Sequence, residues 1–67
     1  MNNKVKNVLI KKDGVEFGAP DGMRYFAKKD GNSILIFKKV GDEVWSYKTQ
    51  LFITGKITAQ KIWDKLS

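Results

Sequence analysis

The stretch Lys28-Lys29-Asp30-Gly31-Asn32-Ser33-Ile34-Leu35-Ile36-Phe37-Lys38-Lys39-Val40-Gly41-Asp42 decides how this chain folds. Its centre, Ile34 to Phe37, is apolar and rich in residues that suit a pleated surface. Each end carries a lysine pair next to a turn dipeptide, Asp30-Gly31 on one side and Gly41-Asp42 on the other. Asp-Gly between apolar runs is a hairpin signal, because Gly takes positive φ without steric cost and Asp tolerates it. The same tetrapeptide stands earlier, as Lys11-Lys12-Asp13-Gly14. The three copies are unevenly spaced, by 17 and then 10 residues, so they are repeated turn chemistry and not a structural repeat.

Working outward from that centre, the apolar runs and turns predict strands over about 4–11, 15–17, 23–29, 33–40 and 43–53. The run Gly18-Ala19-Pro20-Asp21-Gly22 reads as a loop, either a connector or a flexible binding loop. The period then changes. Ala59, Ile62, Trp63 and Leu66 follow i, i+3, i+4, i+7 spacing, which predicts a helix over about 59–66 with Thr58 as its N-cap. A helix this short does not persist alone in water, so it must pack on the sheet. The expected fold is α+β and mostly β. It is one small domain over 1–67, an antiparallel four- to five-stranded meander, partly curled, with a C-terminal helix packed on it.

Two-residue turns at both central hairpins predict the faces. They pair Lys38 with Trp45, Ile36 with Tyr47, Ala27 with Ile34 and Tyr25 with Ile36. One face then carries Met23, Tyr25, Ala27, Ile34, Ile36, Trp45, Tyr47, Leu51 and Ile53, and receives the helix. On this register both tryptophans and both tyrosines belong to the core. The opposite face carries Arg24, Phe26, Lys28, Leu35, Phe37, Lys39, Val44, Ser46 and Lys48. Two arrangements fit that second face. It is an open platform, or its Phe26, Leu35 and Phe37 lie under the first hairpin against Val8, Ile10 and Phe17, as in a small curled barrel. A one-residue bulge at either turn would exchange part of the assignment.

Charge narrows the functional classes. The 67 residues carry 13 basic and 7 acidic side chains, a net charge of +6. Such a balance favours anionic partners through long-range fields. All the cations but Arg24 are lysines, which suits phosphate contact better than reading base edges. With no Cys and no His, the residues offer neither disulfides nor thiolate or imidazole metal ligands, and the serines have no histidine to activate them. The carboxylates stand mostly at turns, where Asp serves the backbone. The chain is therefore read as non-catalytic, with no cofactor, metal or small-molecule substrate. It has no membrane-spanning run and only a short apolar stretch near its start, Val8-Leu9-Ile10, so the expected location is cytoplasmic.

Rings interleaved with cations are the composition of a single-strand binding platform. The predicted nucleic-acid-binding residues are Arg24, Phe26, Lys28, Phe37, Lys39 and Lys48, joined by the turn lysines Lys11, Lys12 and Lys29. The predicted function is a nucleic-acid-binding or DNA-associated accessory module with weak sequence preference. The alternative is a small protein-binding module or inhibitor, of a phage or mobile-element type, that docks on an acidic protein. In element order alone, an antiparallel sheet followed by one helix resembles the small DNA-binding modules at the N-termini of some mobile-element integrases.

Overall fold

The computed structural model describes residues 3–42 and 44–66. Five strands, β1 (Lys6–Ile10), β2 (Gly14–Gly18), β3 (Arg24–Asp30), β4 (Ser33–Lys39) and β5 (Trp45–Leu51), precede one helix, α1 (Ala59–Leu66). The strands form one antiparallel sheet in the order β1-β2-β3-β4-β5, a plain meander with β1 and β5 at its edges. The expected start of the last strand at Glu43 lies outside the described residues.

Helix α1 closes one face. Thr58 caps it, its hydroxyl accepting from Lys61 N–H at 3.1 Å and its carbonyl from Ile62 N–H at 3.0 Å. Ile62 is fully buried, together with Phe17 and Ile36 from the sheet, and Ala19, Tyr25, Ala27, Ile34 and Ala59 complete the buried core. Met23, Leu51, Ile53, Ile57, Trp63 and Leu66 pack around it. Burying one large aliphatic or aromatic side chain contributes roughly 1.5–3 kcal/mol, so a few such residues decide whether a chain this small folds. Gln60 ties the start of the chain to the helix. Its Oε1 accepts from Val5 N–H at 2.9 Å and its Nε2 donates to the Asn3 carbonyl at 2.8 Å, the pairing a neighbouring strand would otherwise supply.

Of the two central turns, one is a two-residue hairpin displaced from the expected position and the other is longer. Asp30 pairs with Ser33, so the central residues are Gly31 and Asn32, displaced by one position from the expected pair. Gly31 has φ +60° and Asn32 does not have positive φ, the pattern of a type II′ turn. Ala27 consequently faces Ile36, and Tyr25 faces Lys38. That is a shift of two residues, which preserves the side-chain faces. The β4–β5 connection is longer than expected, closed by a bond from Val40 N–H to the Val44 carbonyl at 2.7 Å. Phe37 then faces Tyr47 and Lys39 faces Trp45, a shift of one residue. The shift inverts that half of β5. Ile36 nevertheless faces Thr49 and Ile34 faces Leu51, so Lys48 is an extra residue that restores the original face. Trp45 and Tyr47 therefore do not belong to the helix-covered core, and Ser46, opposite Lys38, leaves the face expected for it.

The first hairpin does not fold over the sheet. Phe17 belongs to the helix-side core, while Val8 is exposed and Ile10 is 82% exposed. Phe26, Leu35 and Phe37 are thus not packed beneath that hairpin, and the second face stays open. The Gly18–Gly22 loop is tied down by bonds from Ala19 N–H to the Met23 carbonyl at 2.8 Å and from Gly22 N–H to the Ala19 carbonyl at 3.0 Å. Asp21 adds bonds from Met23 N–H at 2.9 Å and the Tyr25 hydroxyl at 2.7 Å. It is a connector.

Two of the turn glycines do different work. Gly31 is needed for its positive φ, and a Cβ there would meet nothing within 4 Å. Gly14 has no such φ, but a Cβ there would overlap the carbonyl oxygen of Ala27 on the neighbouring strand. Gly31→Ala should cost about 1–2 kcal/mol of backbone strain. Gly14→Ala must displace the backbone of β3 and should be the more damaging change, by thermal melting of both variants. Equal melting temperatures would show that β2 and β3 do not approach so closely at Gly14.

Tyr25 makes a second measurable point. It is buried between Phe17 and Trp63, with ring centroids 5.8 and 5.7 Å away. Burial, then the hydrogen bond to the Asp21 carboxylate and its charge, push the Tyr25 phenol from 10.0 up to about 12. The folded state thus holds this proton where the unfolded chain releases it. The resulting stability is complete below pH 10.0 and is lost as pH rises towards about 12. Melting temperature should fall across that window more steeply in the wild type than in Tyr25→Phe. Parallel curves would exclude the coupling.

Candidate nucleic-acid interface

The open face is organised by one cross-strand row. Leu9 pairs with Glu16, Glu16 with Phe26, Phe26 with Phe37 and Phe37 with Tyr47, so one row crosses all five strands. Three of its members are aromatic. Phe26 and Phe37 have centroids 6.5 Å apart, and Phe37 meets Tyr47 edge-on at 5.9 Å. Trp45, one row over, lies 6.1 Å from Phe26. Such ring pairs contribute about 0.5–1.5 kcal/mol each beyond area burial, so the cluster partly supports itself without a covering layer. Phe26, Phe37 and Trp45 remain half-buried, whereas Tyr47 is 56% exposed.

Lysines border the rings. Lys39 places its Nζ 5.8 Å from the centroid of Trp45, within cation–π range. Lys28 is exposed opposite Leu35, in the row next to the rings. Lys11 lines a shallow concavity of about 270 Å³ with Asp13, Glu16, Phe26 and Trp45. Lys48, the extra residue of β5, is exposed beside Tyr47.

The remaining predicted residues fall elsewhere. Arg24 shares the open face, but its Nε donates to Glu16 at 2.7 Å and its Nη2 to the Asn7 carbonyl at 3.0 Å. Asn7 has φ +53° at the point where the β1 register slips, a conformation Asn tolerates better than most residues. Arg24 therefore fastens the irregular edge strand. Lys12 and Lys29 stand at the turn end of the sheet, where Lys29 N–H donates to the Asp13 carbonyl at 2.9 Å. They line a separate groove with Lys56, on the helix side. The nine predicted residues thus divide. Phe26, Phe37, Lys28, Lys39 and Lys11 gather around the open face, Arg24 braces it, Lys12 and Lys29 belong to the groove, and Lys48 is the exposed unpaired residue of β5.

Trp45 and Tyr47 are the members of the face that alternation misses. Positions 45, 47, 49, 51 and 53 keep one uninterrupted parity, so nothing in that pattern marks the bulge at Lys48.

Among the described residues, no helix is long and apolar enough to cross a membrane. Comparison of the chain with protein-family models, with curated proteins and with solved structures gives no match.

The two faces should answer differently to truncation. Ile36→Ala opens a cavity in the closed core and should cost about 2–5 kcal/mol. Tyr47→Ala removes one edge-on contact of an exposed ring and should cost about 0.5–1.5 kcal/mol. Chemical denaturation of the two variants checks the ranking. A Tyr47→Ala loss as large as that of Ile36→Ala would place Tyr47 in a closed core.

Proposed function

We propose that the chain is a non-catalytic module that binds single-stranded nucleic acid with weak sequence preference on its open sheet face. The observation that carries this reading is the row of rings, Phe26, Phe37 and Tyr47 with Trp45 beside it, bordered by Lys11, Lys28 and Lys39. Bases present a π-face whatever their identity, so rings on a sheet bind them without regard to sequence, and lysines follow the phosphates. The scarcity of arginine fits weak preference, because the bidentate fork that reads guanine is missing from the face apart from Arg24, which is held by Glu16. The net charge of +6 supplies attraction at a distance.

Each phosphate contact to a single strand contributes about −0.7 to the slope of log affinity against log salt. Changing Lys11, Lys28 and Lys39 together to Gln should flatten that slope by about 2. Tyr47→Ala should weaken binding by about 1–3 kcal/mol through lost stacking and leave the slope nearly unchanged, since a ring releases no counterions. Fluorescence titration with short homopolymeric DNA and RNA at several salt concentrations measures both. Wild-type protein that shows no salt-dependent binding even at low ionic strength would overturn the proposal.

A further inference from the structure

A second surface lies on the other side of the molecule, at the turn end of the sheet. A groove of about 480 Å³ opens there between the β1–β2 turn, the end of β3 and the segment that leads into α1. Its floor is aliphatic, made by Val15, Ala27, Ile34, Ile57 and Ile62. Its rim carries Lys12, Lys29 and Lys56, three lysines from three separate segments, against one carboxylate, Asp13. Ile10 also lines it, and Ile10 is the last residue of β1, an edge strand. All five residues of β1 are exposed, and Leu9 and Ile10 present apolar side chains to opposite faces.

An edge strand has backbone N–H and C=O groups directed away from its only neighbour, and these can pair with another strand. Here the edge runs directly into an apolar groove with a cationic rim. Backbone pairing gives such an interaction its affinity, and a pocket that takes a side chain gives it specificity. We infer that β1 and this groove together bind an extended acidic segment of a partner protein, which adds a strand to β1 and seats an aliphatic side chain in the groove while its carboxylates meet Lys12, Lys29 and Lys56. A nucleic-acid strand fits this surface less well, because no aromatic ring lines the groove and a base would find nothing to stack on. A second copy of this chain fits it poorly as well. Pairing β1 with β1 would bring Lys6, Lys11 and Lys12 of two chains together, each chain carrying a net charge of +6. The surface is separate from the open face, so the interaction does not depend on nucleic-acid binding.

Selection of short random peptides displayed in bulk against the whole protein tests the inference, followed by titration of one selected synthetic peptide by amide and methyl NMR. The selected sequences should be acidic and should alternate aliphatic residues. The titration should shift the amides of Lys6–Ile10 and the methyls of Ile34 and Ile57. Ile10→Ser, at a residue whose side chain is 82% exposed, should weaken binding while leaving the fold and any oligonucleotide affinity intact. Reversal of Lys12, Lys29 and Lys56 to Glu should abolish peptide binding. The inference is overturned by failure to enrich acidic peptides, by shifts confined to other surfaces, by an oligonucleotide that displaces the peptide from the groove, or by self-association of the free protein through β1.

Discussion

One unpaired residue in an edge strand sets what this molecule can present. Because side chains alternate along a strand, a single extra position reverses everything on one side of it. Lys48 is that position, standing between the Phe37–Tyr47 and Ile36–Thr49 pairs. Beyond it, Thr49 and Leu51 keep to the helix-covered face with Ile36 and Ile34. Before it, Trp45 and Tyr47 are turned onto the open face beside Phe26 and Phe37. Without the bulge, the first half of β5 could not give its rings to the open face while the second half gave Leu51 to the core.

The result is a sheet whose two faces are supported by different means. The helix side follows ordinary core physics, with fully buried Phe17, Ile36 and Ile62 and a capped helix lying across them. The open side has rings that shield one another and a guanidinium that braces the irregular edge through Glu16 and Asn7. Stability can therefore be supplied by one face and binding by the other. The lysines are divided in the same way. Lys11 borders the rings, and its neighbour Lys12 lines the helix-side groove, because adjacent residues leaving a strand at a turn project to different sides.

Much of the fold is legible in the sequence. Period-two and period-3.6 patterns separate five strands from one helix, and Thr58 marks where the helix starts. The turn between β3 and β4 is read one position early, which moves cross-strand partners by two and leaves the faces intact. Between β4 and β5 a displacement of one moves Trp45 and Tyr47 to the other side of the sheet, and the compensating bulge hides it from any parity argument. The same limit applies to Gly14. Its type is recognisable as a turn residue, but the reason for it is a close approach by Ala27, which only the strand pairing creates. Of the candidate site, the phenylalanines and Lys28 and Lys39 are readable from register. The bond from Arg24 to the Asn7 carbonyl depends on a slip in β1 at Asn7 that no local pattern announces.

The bulge at Lys48 puts Tyr47 and Trp45 on the open face. Proton–proton Overhauser contacts within the free protein in solution measure this most directly. With the bulge in place, the Tyr47 ring should show contacts to Phe37 and the Trp45 ring to Phe26, together with contacts from Thr49 to Ile36. Contacts from Tyr47 to Ile36 and from Trp45 to the residues of α1 would contradict this placement, and would return both rings to the core.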